Sequence, residues 1–346
     1  MYFYVKNVIG DFICTIIDSC LMNALEEVMR INVMDLNTLT NGDLDFSEIE
    51  ALGETRFYNV LPDDEMIEAC KDAEAILINK VSLTRQVIEQ LPSVKYIGLF
   101  ATGYNNVNLK AASEHGIAVA NVPGYSTDAV SQQVFSFILM FASSMPLYNE
   151  AVHRGEWIKS KTFSFFPYPI SEIAGKKIGI VGFGNIGRKV AQIAAVFGMH
   201  VMIYTRRHVA DCPYEQVDKV RLFSESDYLS LNCPLNEGTA NLVNDETLAL
   251  MKPTAFLINT ARGGVVDSVA LAEALNEGRI AGAGIDVLTV EPMPVDDPLY
   301  TAANCIITPH IGWAAIESRR RCVSMVADNL KCWMEGHPKN IVNILN

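Results

Sequence analysis

KKIGIVGFGNIGRKVAQIAAVFGM, residues 176–199, is the stretch on which the fold turns. Its first part, Ile178–Gly182, is apolar and favours a strand. Its last part, rich in Ala and Ile, favours a helix, and Gly182-x-Gly184-x-x-Gly187 joins the two. A bare glycine triplet of this spacing often marks only a loop. A strand before it and a helix behind it are the context that a dinucleotide-binding turn requires. Gly182 permits the tight turn, Gly184 lets the backbone approach a pyrophosphate, and Gly187 lets helix and strand pack closely. The helix start then presents free N–H groups to the anion.

The next predicted strand, Val201–Tyr204, bears on which dinucleotide fits. An acidic residue at its end would accept the ribose 2′-hydroxyl of NAD(H). Thr205-Arg206-Arg207 stands there instead. Two guanidiniums suit a 2′-phosphate and no carboxylate repels it, so NADP(H) is favoured. NAD(H) is the alternative if both arginines are plain solvated turn residues.

Outward from this turn, short apolar runs alternate with helix-like stretches. On the N-terminal side the expected strands are Ile31–Leu36, Arg56–Val60, Ala75–Asn79, Tyr96–Ala101 and Ile117–Val122. Asp63–Ala73 and Thr84–Leu91 are expected helices. A long helix over Thr127–Met145 and an aromatic loop, Phe163–Pro169, interrupt the pattern. A second series follows: Ile178–Gly182, Val201–Tyr204, Tyr228–Asn232, Ala255–Asn259, Gly282–Val287 and Cys305–Thr308, closed by a helix over Ala314–Glu335. Strand–helix alternation predicts parallel β-α-β units, hence an α/β chain of two Rossmann-like domains. The expected division is an N-terminal extension (1–30), a flavodoxin-like substrate domain (31–126 plus 319–346) and a doubly wound dinucleotide-binding domain inserted between its parts (127–318).

The bulk numbers agree with two domains. The chain has 346 residues, half of them apolar and about a fifth charged, which supports a large buried core. A net charge of -13 argues against nucleic acid as a partner, because neutralising phosphates needs surplus Lys and Arg. A small anionic substrate needs only a local cation or two. The eight cysteines show no C-x-x-C pair and read as reduced thiols of a cytoplasmic protein. No Cys/His cluster suggests a metal site. Val134–Met145 is too short to span a bilayer, and residues 1–30 carry Asp11 and Asp18 without a basic leader, so a secretory signal fits poorly.

Three chemically active side chains fall at the ends of predicted strands in the second series. Arg262 lies in NTARGGVVD (259–267), Glu291 in GRIAGAGIDVLTVEP (278–292) and His310 in TPHIGW (308–313). Ligands of open α/β sheets bind at the carboxyl ends of strands, which places all three around one crevice. With GYNNVNL (103–109), NVPGYSTDAV (121–130) and GFGNIG (182–187), these motifs resemble the D-isomer-specific 2-hydroxyacid dehydrogenase family. Within it the likeness is to the glycerate dehydrogenase/hydroxypyruvate reductase (glyoxylate reductase) group. The resemblance runs from Ile31 to the C-terminus; residues 1–30 fall outside it, and a start at Met29 would match the family's usual N-terminus.

The resemblance implies hydride transfer between NAD(P)H and a small 2-keto acid. Arg262 would hold the substrate carboxylate, His310 would act as general acid/base, and Glu291 would orient His310. Backbone amides of Thr102 and Gly103 would bind the carboxylate as well. It places further cofactor contacts on Thr127, Asn185, Ile186, Cys233, Pro234, Thr260, Ala261, Asp286 and Gly312, with Asp286 near the nicotinamide carboxamide or, alternatively, serving as a strand-end cap. The chain departs from the family's NAD-using members at Thr205, where those carry an acidic residue. The partners expected are a small 2-keto or 2-hydroxy acid and a second copy of the chain, with 127–145 and 163–169 as interface or lid elements. Two alternatives stay open: a dinucleotide-sensing scaffold or corepressor of the same fold, and a dehydrogenase for another D-2-hydroxy acid.

Overall fold

The computed structural model describes residues 28–344; the expected extension 1–30 lies almost wholly outside the described residues. The chain divides into two units, one running to Tyr125 and resuming at Arg319, the other Ser126–Ser318.

The first unit is built on β1 (Arg30–Val33), β2 (Glu54–Phe57), β3 (Ala75–Ile78), β4 (Tyr96–Leu99) and β5 (Ala118–Ala120). They form one parallel sheet in the order β2-β1-β3-β4-β5. The central strands read AILI and YIGL and are buried throughout, as expected where helices cover both faces of a parallel sheet. The strand expected over Arg56–Val60 begins two residues earlier, because Arg30 pairs with Glu54 and Val33 with Phe57. The helix expected over Thr84–Leu91 is a single turn, Arg85–Ile88, capped by the Thr84 side chain. At the switch point between β1 and β3, the fully buried Asp35 accepts the amides of Asn79 (2.8 Å), Lys80 (2.5 Å) and Val81 (2.9 Å). The final helix, Ile316–Met334, contributes Arg319, which grips both carboxylate oxygens of Asp43 at 2.7 Å.

The second unit holds seven parallel strands: β6 (Lys177–Val181), β7 (His200–Tyr204), β8 (Glu215–Gln216), β9 (Tyr228–Leu231), β10 (Phe256–Asn259), β11 (Gly282–Ile285) and β12 (Cys305–Ile307). Their order, β12-β11-β10-β9-β6-β7-β8, puts the switch point of a doubly wound sheet between β6 and β9. Sequence reading missed β8, a two-residue polar edge strand. Phe137, fully buried, lies over β11 where a Cβ at Gly284 would come within 2.5 Å of its ring; that close approach seats the helix Thr127–Ser143 on the sheet.

The helix expected to run unbroken over Thr127–Met145 stops at Ser143. Ser144 takes left-handed backbone (φ 49°), and a second helix, Met145–His153, leaves at 57°. Pro146 in the first turn of that second helix explains the break, since the first turn tolerates proline and a helix interior does not. The aromatic loop beyond it is tied down: Trp157 Nε1 donates to Phe163 O (3.0 Å), Tyr148 Oη to Tyr168 O (2.7 Å) and Ser144 Oγ to Pro169 O (2.6 Å). Its side chains Phe163 and Phe166, with Ile158 just before the loop, face outward, Phe163 with 92% of its surface exposed. Among the described residues no single helix is long and apolar enough to cross a membrane. Cys70, Cys212, Cys233, Cys305, Cys322 and Cys332 are free thiols.

Candidate active site

Two groups of residues gather at the carboxyl edge of the seven-stranded sheet. The first surrounds the β6/β9 switch point. Gly182 has φ 87° and approaches β9 so closely that a Cβ there would lie 2.8 Å from Asn232 O. A Cβ on Gly187 would overlap the Gly182 carbonyl oxygen, so this glycine seats the helix Asn185–Val196 on the turn. Gly184 differs: a Cβ there would meet no protein atom within 4 Å, and its backbone is extended. Nothing among the described residues demands a glycine at 184; the space beside it suits a bound group. Gly184 also caps the helix without a side-chain hydrogen bond, leaving the first amides, at Asn185 and Ile186, without an acceptor inside the helix.

Other polar groups at this edge fit a dinucleotide as well. The buried Thr260 Oγ1, after β10, and Asn232 Oδ1, after β9, have no hydrogen-bond partner among the described residues, and an orphaned buried oxygen is costly unless a ligand or water satisfies it. Thr260 was expected from the sequence. Asn232 was not, and its only signal is its place between β9 and Cys233. Cys233 is buried and burial raises its thiol pKa, so it lines the switch point as a neutral filler beside the exposed Pro234. After β7, Thr205 Oγ1 donates to Arg207 O (2.5 Å). Arg206 and Arg207 are exposed, and no carboxylate among the described residues forms a salt bridge with either. A Cβ at Gly238 would lie 3.7 Å from Arg206 Nη1, which places that guanidinium over the loop following β9. Thr127 opens the helix Thr127–Ser143.

The second group sits on β10, β11 and β12, which are adjacent and in register through Asn259, Ile285 and Ile307. Neighbouring strands lie about 4.8 Å apart, so the outer two ends are about 10 Å apart. Arg262 follows β10. Its carbonyl accepts Asn259 Nδ2 (2.9 Å), its Nη1 donates to Ala261 O (2.7 Å), and Ala261 N donates to Asn259 Oδ1 (3.0 Å). Among the described residues no carboxylate forms a salt bridge with Arg262.

His310 follows β12 and is held from two sides. Its Nδ1 lies 2.6 Å from Glu291 Oε2, and the other oxygen of Glu291 accepts Leu288 N (2.8 Å). Its backbone is left-handed (φ 54°), a region that His enters more readily than most residues but at some cost. Asp286, 3% exposed, over-determines that turn. Its Oδ1 accepts Thr308 Oγ1 (2.5 Å) and Ile311 N (2.9 Å), its Oδ2 accepts Gly312 N (2.8 Å), and its carbonyl accepts His310 N (2.8 Å). Gln133, on the helix Thr127–Ser143, adds a bond to Thr308 Oγ1 at 3.3 Å. The strand-end cap is thus the role of Asp286 that the hydrogen bonds display. Sequence reading did not find Gln133 or the Leu288 amide, since neither residue type carries a signal for such a contact.

In the first unit, Thr102 and Gly103 follow β4. Asn121 Nδ2 donates to Thr102 O (2.7 Å) and Thr102 Oγ1 to Val122 O (2.8 Å). These two bonds fix the segment that follows β4. Among the described residues no group of His, Cys, Asp or Glu could hold a metal ion.

Residues 135–312 match the family described as D-isomer specific 2-hydroxyacid dehydrogenase, NAD binding domain. A hydroxypyruvate reductase from Blautia hydrogenotrophica is 40% identical over 323 residues, covering 91% of this chain and 100% of that protein. A glycerate dehydrogenase from Methylorubrum extorquens is 38% identical over 283 residues, covering 81% of this chain and 88% of that protein. Among solved structures, the NADPH-dependent glyoxylate/hydroxypyruvate reductase from Sinorhizobium meliloti, in complex with citrate, superposes with a TM-score of 0.80 at 27% identity, covering 91% of this chain and 97% of that one.

Proposed function

Because the chain belongs to the D-isomer specific 2-hydroxyacid dehydrogenase family, we propose that it interconverts hydroxypyruvate with D-glycerate, and glyoxylate with glycolate, using NADP(H) and the side chains of Arg262 and His310. The observation that carries this reading is the arrangement at His310. A glutamate carboxylate occupies Nδ1, while Nε2 makes no bond among the described residues and Arg262 stands two strands away without a carboxylate partner. A carboxylate can only accept, so Nδ1 is the donor and Nε2 is the atom left to exchange a proton with substrate.

On reduction, His310 Nε2 donates a proton to the keto oxygen; on oxidation it takes the proton from the hydroxyl. Such help amounts to roughly 100- to 10,000-fold in rate. Arg262 grips the carboxylate of the 2-keto acid through paired N–H donors, about 1.5–3 kcal/mol of binding. Glu291 keeps the imidazole in one tautomer and one orientation. Gly184 and the amides of Asn185 and Ile186 would receive the pyrophosphate, Thr260 and Asn232 the neighbouring polar groups, and Arg206 with Arg207 the 2′-phosphate. The nicotinamide, when bound, supplies the hydride or accepts it. The substrate choice rests on the names of the relatives, which read hydroxypyruvate, glycerate and glyoxylate.

Initial rates with hydroxypyruvate, glyoxylate and pyruvate, each with NADPH and NADH, test this directly. Hydroxypyruvate or glyoxylate with NADPH should give the highest kcat/KM, and Arg262→Ala or His310→Ala should lower it by about 100-fold or more. Cofactor binding without turnover would refute the enzyme reading, and faster turnover of pyruvate would refute the substrate.

A further inference from the structure

The turn after β10 and the turn after β11 meet backbone to backbone. A Cβ on Gly263 would overlap the carbonyl carbon and oxygen of Leu288 and the amide nitrogen of Thr289. Gly263 is not in left-handed backbone, so the close approach alone excludes a side chain. Its neighbour Gly264 has no such constraint, because a Cβ there would meet only the tip of the Leu235 side chain, at 3.1 Å.

The peptide on which Gly263 rests is not an arbitrary one. Leu288, whose carbonyl is under Gly263, offers its own N–H to Glu291 Oε1 at 2.8 Å, and Glu291 Oε2 holds His310 Nδ1 at 2.6 Å. On the other side, Gly263 is bonded directly to Arg262. We propose that Gly263 is a positioning residue: by seating the Arg262 turn on the Leu288–Thr289 peptide, it sets the spacing between the guanidinium that grips the substrate carboxylate and the imidazole that moves the proton. The link contains no rotatable side chain between Arg262 and the Leu288 amide. The inference rests on the roles proposed above for Arg262 and His310.

The added methyl of Gly263→Ala must push the two turns apart. A misplacement of about 1 Å can cost on the order of 100-fold in rate, so kcat for hydroxypyruvate should fall by about that factor. Cofactor affinity, followed by nicotinamide fluorescence, should fall far less than kcat, because the β6 turn is untouched and only the Thr260 end of the cofactor site adjoins the displaced turn; Gly264→Ala should leave kcat within about threefold. The discriminating readout is a double-mutant cycle with Glu291→Gln. That substitution should lower kcat at least tenfold in the native background but less than about twofold once Gly263→Ala has already displaced the Leu288 turn. Additive losses would overturn the proposal, as would native kcat in Gly263→Ala.

If Gly263→Ala fails to bind cofactor or to melt cooperatively, Leu288→Pro carries the test. It removes the amide that Glu291 accepts and leaves Gly263 in place. It should reproduce the loss seen in Glu291→Gln and add less than about twofold to it; full additivity overturns the coupling. Arg262→Ala and His310→Ala run alongside. Undiminished turnover in those two defeats the catalytic reading itself, whereas their inactivity together with an additive cycle defeats only the role of Gly263.

Discussion

Replacing Asp286 by Asn keeps the shape of the side chain and removes one acceptor, which makes it the sharpest probe of how His310 is held. The carboxylate receives Thr308 Oγ1 and Ile311 N on one oxygen and Gly312 N on the other. An amide can turn its NH2 toward only one of these groups, and on either side it meets a backbone N–H that cannot accept. The less costly orientation faces Gly312 and leaves that amide unsatisfied in a site only 3% exposed. Loss of a charge-assisted bond and an unpaired buried donor together cost about 1–3 kcal/mol. If that strain falls on the turn that fixes the imidazole, it corresponds to roughly 10- to 100-fold in kcat. Stopped-flow turnover at saturating substrate and cofactor measures the rate; amide hydrogen exchange at Gly312 measures the bond. Faster exchange at Gly312 with a lowered kcat is the expected pair. Native kcat and native protection in Asp286→Asn would refute the claim that this carboxylate organises His310.

Other consequences are open to equally direct tests. Arg206→Ala combined with Arg207→Ala should raise KM for NADPH by about 10- to 100-fold and leave KM for NADH unchanged; equal effects on both would remove the 2′-phosphate assignment. Glu225 is held by Arg221 and by Lys177 at the start of β6, which pulls its carboxyl from 4.5 down to about 2. A depressed carboxyl stabilises the fold above its unfolded pKa and loses that contribution as pH falls toward the folded one. Wild type should therefore resist urea better than Glu225→Gln at neutral pH, with the gap closing between about pH 4.5 and about 2; a gap that persists at the acid end would contradict the pairing. Burial pushes the thiols of Cys70 and Cys305 up to about 11 and about 12. Neither should react with iodoacetamide at pH 8 without unfolding, as mass mapping of the alkylated sites can check. The segments 127–145 and 163–169, the latter with Phe163 and Phe166 exposed, are expected to join two copies or to form a lid, and sedimentation as a monomer at working concentration would dismiss the joining.

The parallel sheets were legible because their strands are buried on both faces: runs such as Ala75–Ile78 and Tyr228–Leu231 announce themselves by composition. The dinucleotide turn was legible because three glycines, a strand and a helix had to coincide. The ends of elements were less so. The shift of β2 follows from its register with Arg30, which composition does not encode. The break at Ser144 depends on a proline just past the apolar run, where periodicity had already ended. At the site, Arg262, Glu291 and His310 stood out as side chains capable of chemistry, whereas the groups that hold them were silent. The amide of Leu288 and the bare Cα of Gly263 act through backbone, and backbone approach between turns some twenty-five positions apart leaves no mark on hydrophobic pattern.

The left-handed backbone at His310 limits how this scaffold can be retooled. Only glycine and a few short polar or imidazole side chains enter that region readily, so other residues at 310 should each cost the fold about 1–2 kcal/mol. Lysine or tyrosine, the usual substitutes when a designer wants a proton donor of different acidity, would add that strain to the turn that aims the side chain. New acid–base chemistry on this frame is therefore better sought by recruiting a second position than by exchanging the first.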